Sequence, residues 1–271
     1  MSALHFERIA HPTDFSSESE SAFLHALRLA AAAGSSLDLV HVAEAPQVVT
    51  PELFPSAEST LEQWGLEEEP SELTRVAAQG KKPVGPILEY LDESLPDFLV
   101  LATHRRRGLA RWLRTAVAQK VQRDRALPTL FVPVGEEGFI SASTGRVYLR
   151  RILIPIAWMP PGQPALDAAL ELSRTLGASP LEVTVLHCGA SDADFPPVEL
   201  PQTEGVEVVR SLREGEPKEQ IVRAADELSA DLVIMVTEGR HGFLEALRGS
   251  TTEQVLRELH CPLLVMPDPN H

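Results

Sequence analysis

The chain has 271 residues, 44% hydrophobic and 23% charged, the proportions of ordinary soluble globular proteins, and enough length for two domains that each bury a core. A net charge of −15 argues against nucleic acid or an anionic membrane as the main partner, since both require a basic footprint. No stretch approaches the ~18 consecutive apolar residues of a membrane span, and the first residues run straight into a strand instead of forming a signal peptide, so the expected location is cytoplasmic.

In chain order, RIAHP (8–12) is a short apolar run ending at proline, as a buried strand does when it leaves a sheet. Apolar and small residues at 22, 23, 26, 27, 29 and 30 then give a helical period, closed by Gly34. SLDLVHV (36–42) is the second strand. Residues 44–72 carry eight glutamates and no basic residue, and read as a solvated acidic helix, around Ser56 to Leu66, with loop. A third strand (73–80), a helix (87–95), the apolar strand FLVLAT (98–103), a basic helix (115–126) and the strand TLFVPV (129–134) follow. The Gly/Ser-rich segment 135–148 separates this series from a second one: strands at 151–155, 181–188, 206–215, 232–237 and 262–267, with a helix closed by Gly177 and helices at 218–229 and at 249–260. Residues 189–202 are short and proline-rich and read as holding no helix.

The second series is the first one repeated. Residues 98–133 align without a gap on 232–267, at an offset of about 134 residues, and FERIAHPTDFS (6–16) falls on LRRILIPIAWM (149–159). Strands of four to six residues alternating with helices imply parallel pairing with right-handed crossovers. The expected fold is α/β, two tandem doubly wound domains at 1–136 and 147–271 joined by a linker at 137–146. Cys188 and Cys261 fall in different parts of that sheet, too far apart for a disulfide's Cα spacing of about 4.4–6.8 Å.

With these elements placed, HPTDFS (11–16), LVHV (39–42), ATHRRRGLARWL (102–113) with VAQKVQRDRALPTLFVP (117–133), and TEGRHGFLEALRGSTTEQVLRELHCPLLVMP (237–267) resemble the universal stress protein family in its tandem form. The resemblance implies a five-stranded parallel sheet of order 3-2-1-4-5 in each half, with ATP held at the carboxyl ends of strands 1 and 4, where open α/β sheets bind ligands. It also implies that 129–134 and 262–267 pair antiparallel, making one chain a pseudo-dimer, and it leaves open whether two chains pair further. The family motif is Gly-x-x-Gly, nine residues, then Gly-Ser or Gly-Thr. Its glycines let main chain approach phosphate, and its last residue opens a helix whose free N–H groups favour an anion.

Laid on this chain, the motif is broken in both halves. The first half keeps Asp14, on the adenosine side, and Val42, placed for main-chain contact with a purine, but Ala102, Thr103 and Arg105 stand in the phosphate loop, with Thr115-Ala116 where Gly-Ser belongs. The second half keeps Gly239, Gly249 and Ser250, but has Val236 for the first glycine and Ala157 for the aspartate. Two lost charge-assisted hydrogen bonds of ~1.5–3 kcal/mol each weaken binding roughly 10²–10⁴-fold. The expectation is a stress-response binding or regulatory module with degenerate nucleotide sites.

Two alternatives remain: an ATP-binding sensor using the second-half loop, with at most weak ATPase activity, and a small-anion or metal site in the first half. For the latter, His104 and Arg105 to Arg107 suit an anion, whereas His11, His41 and His104 with Asp14 have the composition of a zinc site. Catalysis is not expected: the chain has no Gly-x-Ser-x-Gly elbow, no phosphate loop with a lysine and no His-Glu-x-x-His, and Ser16, Ser17 and Ser250 read as helix caps.

Overall fold

The computed structural model describes residues 4–43, 50, 53–80, 84–103, 127–237 and 251–268. The first half contains strands β1 (Arg8–Pro12), β2 (Ser36–Ala43), β3 (Glu72–Gln79), β4 (Phe98–Thr103) and β5 (Thr129–Pro133), with helices α1 (Glu20–Ala33), α2 (Ala57–Trp64) and α3 (Val84–Ser94). The second contains β6 (Arg151–Ile156), β7 (Leu181–Cys188), β8 (Val206–Arg213), β9 (Leu232–Thr237) and β10 (Leu263–Pro267), with α4 (Gln163–Leu176), α5 (Pro217–Leu228) and α6 (Thr251–Glu258). Gly34 and Gly177 end α1 and α4 at φ of +63° and +61°, a left-handed conformation that glycine adopts without a Cβ clash. The basic helix expected at 115–126 lies outside the described residues. Among them, no helix is long and apolar enough to cross a membrane.

All ten strands form one sheet, in the order β3-β2-β1-β4-β5-β10-β9-β6-β7-β8. Each half has the expected 3-2-1-4-5 order with parallel neighbours, and the halves join by antiparallel pairing of β5 and β10, with Leu130 opposite Leu264 and Phe131 opposite Leu263. Because strand side chains alternate between faces, these pairs feed both cores. Leu130 and Leu264 belong to the layer beneath α1, α2 and α4, which also holds Leu27, Phe98, Leu166 and Ile234. Phe131 and Leu263 belong to the layer beneath α3, α5 and α6, with Val40, Ile221, Val233 and Val255. Both layers run without interruption from one half into the other.

The amino edge of each half is pinned in the same way. Asp97 accepts the main-chain N–H groups of Glu7 (2.8 Å) and Arg8 (3.2 Å), and Asp231 accepts those of Arg150 and Arg151 (2.8 Å each). Beyond that the halves diverge. Arg8 donates to both carboxylate oxygens of the buried Asp38, at 3.2 Å each. Burial and the Asp38 carboxylate push the Tyr90 hydroxyl up to about 12. In the second half Thr184 occupies the place of Asp38, and Arg151 is left 4.0 Å from Asp231.

Two segments differ in character from one half to the other. The acidic helix is present as α2, and its counterpart, residues 189–205, is irregular apart from a single 3-10 turn at Asp192–Asp194 and a turn at 204–205. The segment 137–146, read above as a linker from its Gly and Ser content, is a folded hairpin. Ile140 bridges Val147 antiparallel, and Phe139 and Ile140 are fully buried. The first half grips it through four side chains. The Phe139 N–H donates to His25 Nε2 (3.1 Å), Trp64 Nε1–H to the Ala142 carbonyl (2.9 Å), Arg28 Nε–H to the Gly145 carbonyl (3.2 Å), and the Ser21 hydroxyl to the Glu137 carbonyl (2.9 Å). His25 Nδ1–H in turn donates to the Ser21 carbonyl, 2.7 Å away, which fixes the tautomer. Apolar residues within a Gly/Ser-rich run were the signal that this segment packs.

Gly138 lies against that histidine at φ +75°, where an added Cβ would fall 2.5 Å from the imidazole. Gly138→Ala is expected to destabilise the protein by about 2–4 kcal/mol, read by urea denaturation, because it combines overpacking with an unfavourable φ. Burial also lowers the imidazoles of His25 and His11 to about 4 from 6.5. Neutral in the fold but protonatable when unfolded, each contributes up to about 3 kcal/mol that is fully present above pH 6.5 and lost as pH falls toward 4. Denaturation midpoints measured from pH 7 to 4.5 should fall, and a His25→Gln variant should show about half the slope.

Candidate functional site

The carboxyl ends of β1, β2 and β4 form the expected ligand edge of the first half. Asp14 follows β1 and is exposed, but its Oδ1 accepts the Ser16 N–H at 3.0 Å and the Ser16 hydroxyl at 2.6 Å. Partial burial would raise its carboxyl, yet these bonds, with a further one from Ser19, hold it below the usual range. The carboxylate is thereby committed to a local turn. The next residue, Phe15, sits at φ +61°, an uncommon conformation for an aromatic residue. That backbone brings the Phe15 ring flat onto His41, with centroids 3.8 Å apart and planes at 14°, while Phe54 meets Phe15 edge-on at 4.9 Å. His41 Nδ1–H donates to the Thr13 carbonyl at 2.9 Å. The place beside Asp14 and β2 is thus lined by a packed aromatic stack. Val42 turns its side chain to the opposite face, against the α3 core.

His11 is fully buried. Its Nδ1–H donates to the Val100 carbonyl at 3.0 Å, and its Nε2 has no partner among the described residues. Thr103 ends β4; its carbonyl accepts the Val134 N–H at 2.8 Å, and its buried hydroxyl likewise lacks a partner there. His104 and Arg105, and Gly239, Gly249 and Ser250 of the second half, lie outside the described residues. Of the residues read as zinc candidates, His11 and His41 each spend Nδ1 on a carbonyl, and Asp14 is turned to Ser16. Among the described residues no group of three His, Cys, Asp or Glu side chains is placed to hold a metal ion. Cys188 and Cys261 are both free thiols, and burial pushes the Cys261 thiol up to about 12, leaving it unreactive.

The corresponding edge of the second half repeats one device and drops another. His187 Nδ1–H donates to the Ile156 carbonyl at 3.1 Å, the counterpart of His41 and Thr13. This paired histidine clamp is visible in the sequence as the histidines of LVHV and VLHC, once the two are superposed. The aromatic cover is different. Trp158, in the place of Phe15, is 59% exposed and donates Nε1–H to the Asp194 carbonyl at 3.0 Å, while Phe195 meets His187 edge-on at 5.9 Å under the Arg210 guanidinium. Met159 beside it is equally exposed. An open groove of about 670 Å³ between Arg150, Arg151, Glu182 and Glu207 lies at the amino ends of β6 to β8. That is the edge away from where an open α/β sheet places its ligand.

Comparison with known proteins agrees with this architecture. The chain is similar over nearly its whole length to the crystal structure of a universal stress protein from Archaeoglobus fulgidus (TM-score 0.62, 18% identity, 98% of this chain and 100% of that one). It is also similar to a functionally unknown protein from Pseudomonas aeruginosa (TM-score 0.63, 16% identity, 99% and 95%). In sequence it matches a universal stress protein of Methanocaldococcus jannaschii, 40% identical over 65 residues, and a universal stress protein E homolog of Haemophilus influenzae, 49% identical over 53. Those stretches are 24% and 20% of this chain, and span 38% and 17% of the two relatives. The model of the universal stress protein family matches residues 5–133 and 198–267, more than half of the chain and a part of each half. With the 3-2-1-4-5 sheet built twice, the chain belongs to the universal stress protein family, in its tandem form.

Proposed function

We propose that this protein acts in the cytoplasm as a binding or regulatory module of stress resistance, without catalysis, and that its first half does not hold nucleotide. The observation that carries this reading is the Phe15, His41 and Phe54 stack, which fills the space beside Asp14 and β2 with the protein's own rings. A purine would have to displace that stack, and Asp14 would have to give up its bonds to Ser16. The replaced glycines at Ala102 and Arg105 support the same conclusion from the phosphate side.

One observation favours a second reading for the other half. There Trp158 stands out in solvent instead of lying on the histidine, which keeps only the edge-on contact of Phe195 at 5.9 Å, so no ring is stacked on it. A weak ATP-binding sensor built on Gly239, Gly249 and Ser250 would use that half. The small-anion alternative at His104 and Arg105 has the same test.

Native mass spectrometry of the gently purified protein, followed by titration with Mg-ATP under Trp fluorescence, separates these readings. The expected result is no co-purified nucleotide and no saturable change up to millimolar Mg-ATP. A micromolar dissociation constant accompanied by quenching of Trp158, and abolished by Trp158→Ala, would establish the sensor reading instead. Phe15→Ala, which opens the first-half stack, should leave ATP affinity unchanged if the missing glycines are the deeper defect.

A further inference from the structure

With β5 and β10 paired to each other, β3 and β8 are the two edges of the sheet left unpaired among the described residues, and they are built differently. β3 (ELTRVAAQ) is tied to α2 of its own half, Arg75 reaching Glu58 at 2.7 Å, and a helix held against an edge limits its pairing with another chain. β8 (VEVVRSLR) has four Val or Leu in eight residues and no proline or lysine. Its register against β7 runs unbroken from Leu181 opposite Val206 to Cys188 opposite Arg213. Among the described residues the segment before it forms no helix like α2, and Val209 at its centre is 40% exposed.

The direction of its free main-chain groups follows from the ladder. The Gly205 carbonyl accepts the Leu181 N–H at 2.8 Å and the Arg213 carbonyl accepts the Gly189 N–H at 3.0 Å. In a parallel ladder both main-chain groups of a residue face the same neighbour and alternate residues face opposite ways. Residues 205, 207, 209, 211 and 213 therefore face β7, and the N–H and C=O groups of Val208, Arg210 and Leu212 point out of the sheet. No other described residue bonds to these outward groups.

We infer that β8 is a homodimerisation edge, at which a second copy of this chain pairs its own β8 antiparallel about a two-fold axis normal to the sheet. The register centred on Val209 sets Val206 opposite Leu212, Val208 opposite Arg210, and Val209 opposite its own copy. It pairs the N–H and C=O groups of Val208 with those of Arg210, and the Leu212 N–H with the Val206 carbonyl, the Val206 N–H being held by the Thr203 carbonyl at 3.2 Å, and it keeps like faces of the two sheets on the same side. Val209 then falls in a non-hydrogen-bonded pair, the closer kind, with Cα atoms about 4.5 Å apart, and its exposed side chain meets its equal. The charge does not oppose this edge: the chain as a whole carries −15, whereas β8 has one acid and two bases and so lacks the acidic excess of the rest of the molecule. A strand pair of this length buries area at or below the ~1,200 Å² where stable interfaces begin, so the dimer forms in a concentration-dependent way.

Sedimentation velocity of the full chain over a concentration series, with cysteine cross-linking under mild oxidation in a Cys188→Ser background, tests it. The expected results are a dimer fraction that rises with concentration and is lost in Val209→Lys, and a covalent dimer from Val209→Cys. Glu207→Cys should give none, since in this register its copies lie about 13 Å apart. Circular dichroism of Val209→Lys should match the parent, because the side chain is half exposed. A monomer at every concentration, a dimer that persists in Val209→Lys, or equal cross-linking at both cysteine positions would each overturn the assignment.

Discussion

The antiparallel contact between β5 and β10 is the constraint on which the rest of this molecule depends. Three register pairs convert two five-stranded sheets into one of ten strands. Since each strand supplies both faces, the contact also fuses two pairs of helical layers into two continuous cores. A sheet edge is a row of unsatisfied donors and acceptors, and the duplication covers two of them with each other. The neighbouring structure follows from this. α1 packs against α4 across the junction, and Leu130 with Leu264 is buried beneath them.

Within that frame the halves have kept what folds them and changed what would have contacted a ligand. The aspartates that pin the amino edge, Asp97 and Asp231, and the histidines that pin the carboxyl edge, His41 and His187, bond to equivalent main-chain atoms in both halves. By contrast, Asp38 has become Thr184, Asp14 has become Ala157, and the ring that lies on the histidine in one half stands in solvent in the other. A buried imidazole bonded to a carbonyl cannot be exchanged without leaving that carbonyl unpaired, whereas a loop side chain can. The conserved histidine is therefore better understood as a brace for the strand-to-helix turn than as a ligand group.

The central strands were legible because they are short apolar runs, and the mixed strands at the sheet edges because the copies check each other; β4 and β9 have the expected bounds. Their order came from the family resemblance, not from periodicity. The aromatic stack was not legible, since it depends on a positive φ at Phe15 and on Phe54, which is distant in sequence. Nor was the fate of Asp14, whose carboxylate prefers a serine two residues away. The hairpin at 137–146 was hidden by composition: glycines and serines suggested a tether, and its partners His25, Arg28 and Trp64 lie in helices more than seventy residues earlier.

That hairpin sets how the halves find each other. A free tether would let the second half sample a wide volume and exchange β10 with the β5 of another molecule. Gripped at Phe139, Ala142 and Gly145, the chain leaves the first half at a fixed point and direction, so the effective concentration of β10 at its own β5 is high and that of a foreign strand is low by comparison. The grip thereby acts against domain exchange, the characteristic hazard of duplicated proteins. Since every gripping side chain lies in the first 64 residues, these bonds require no residue of the second half.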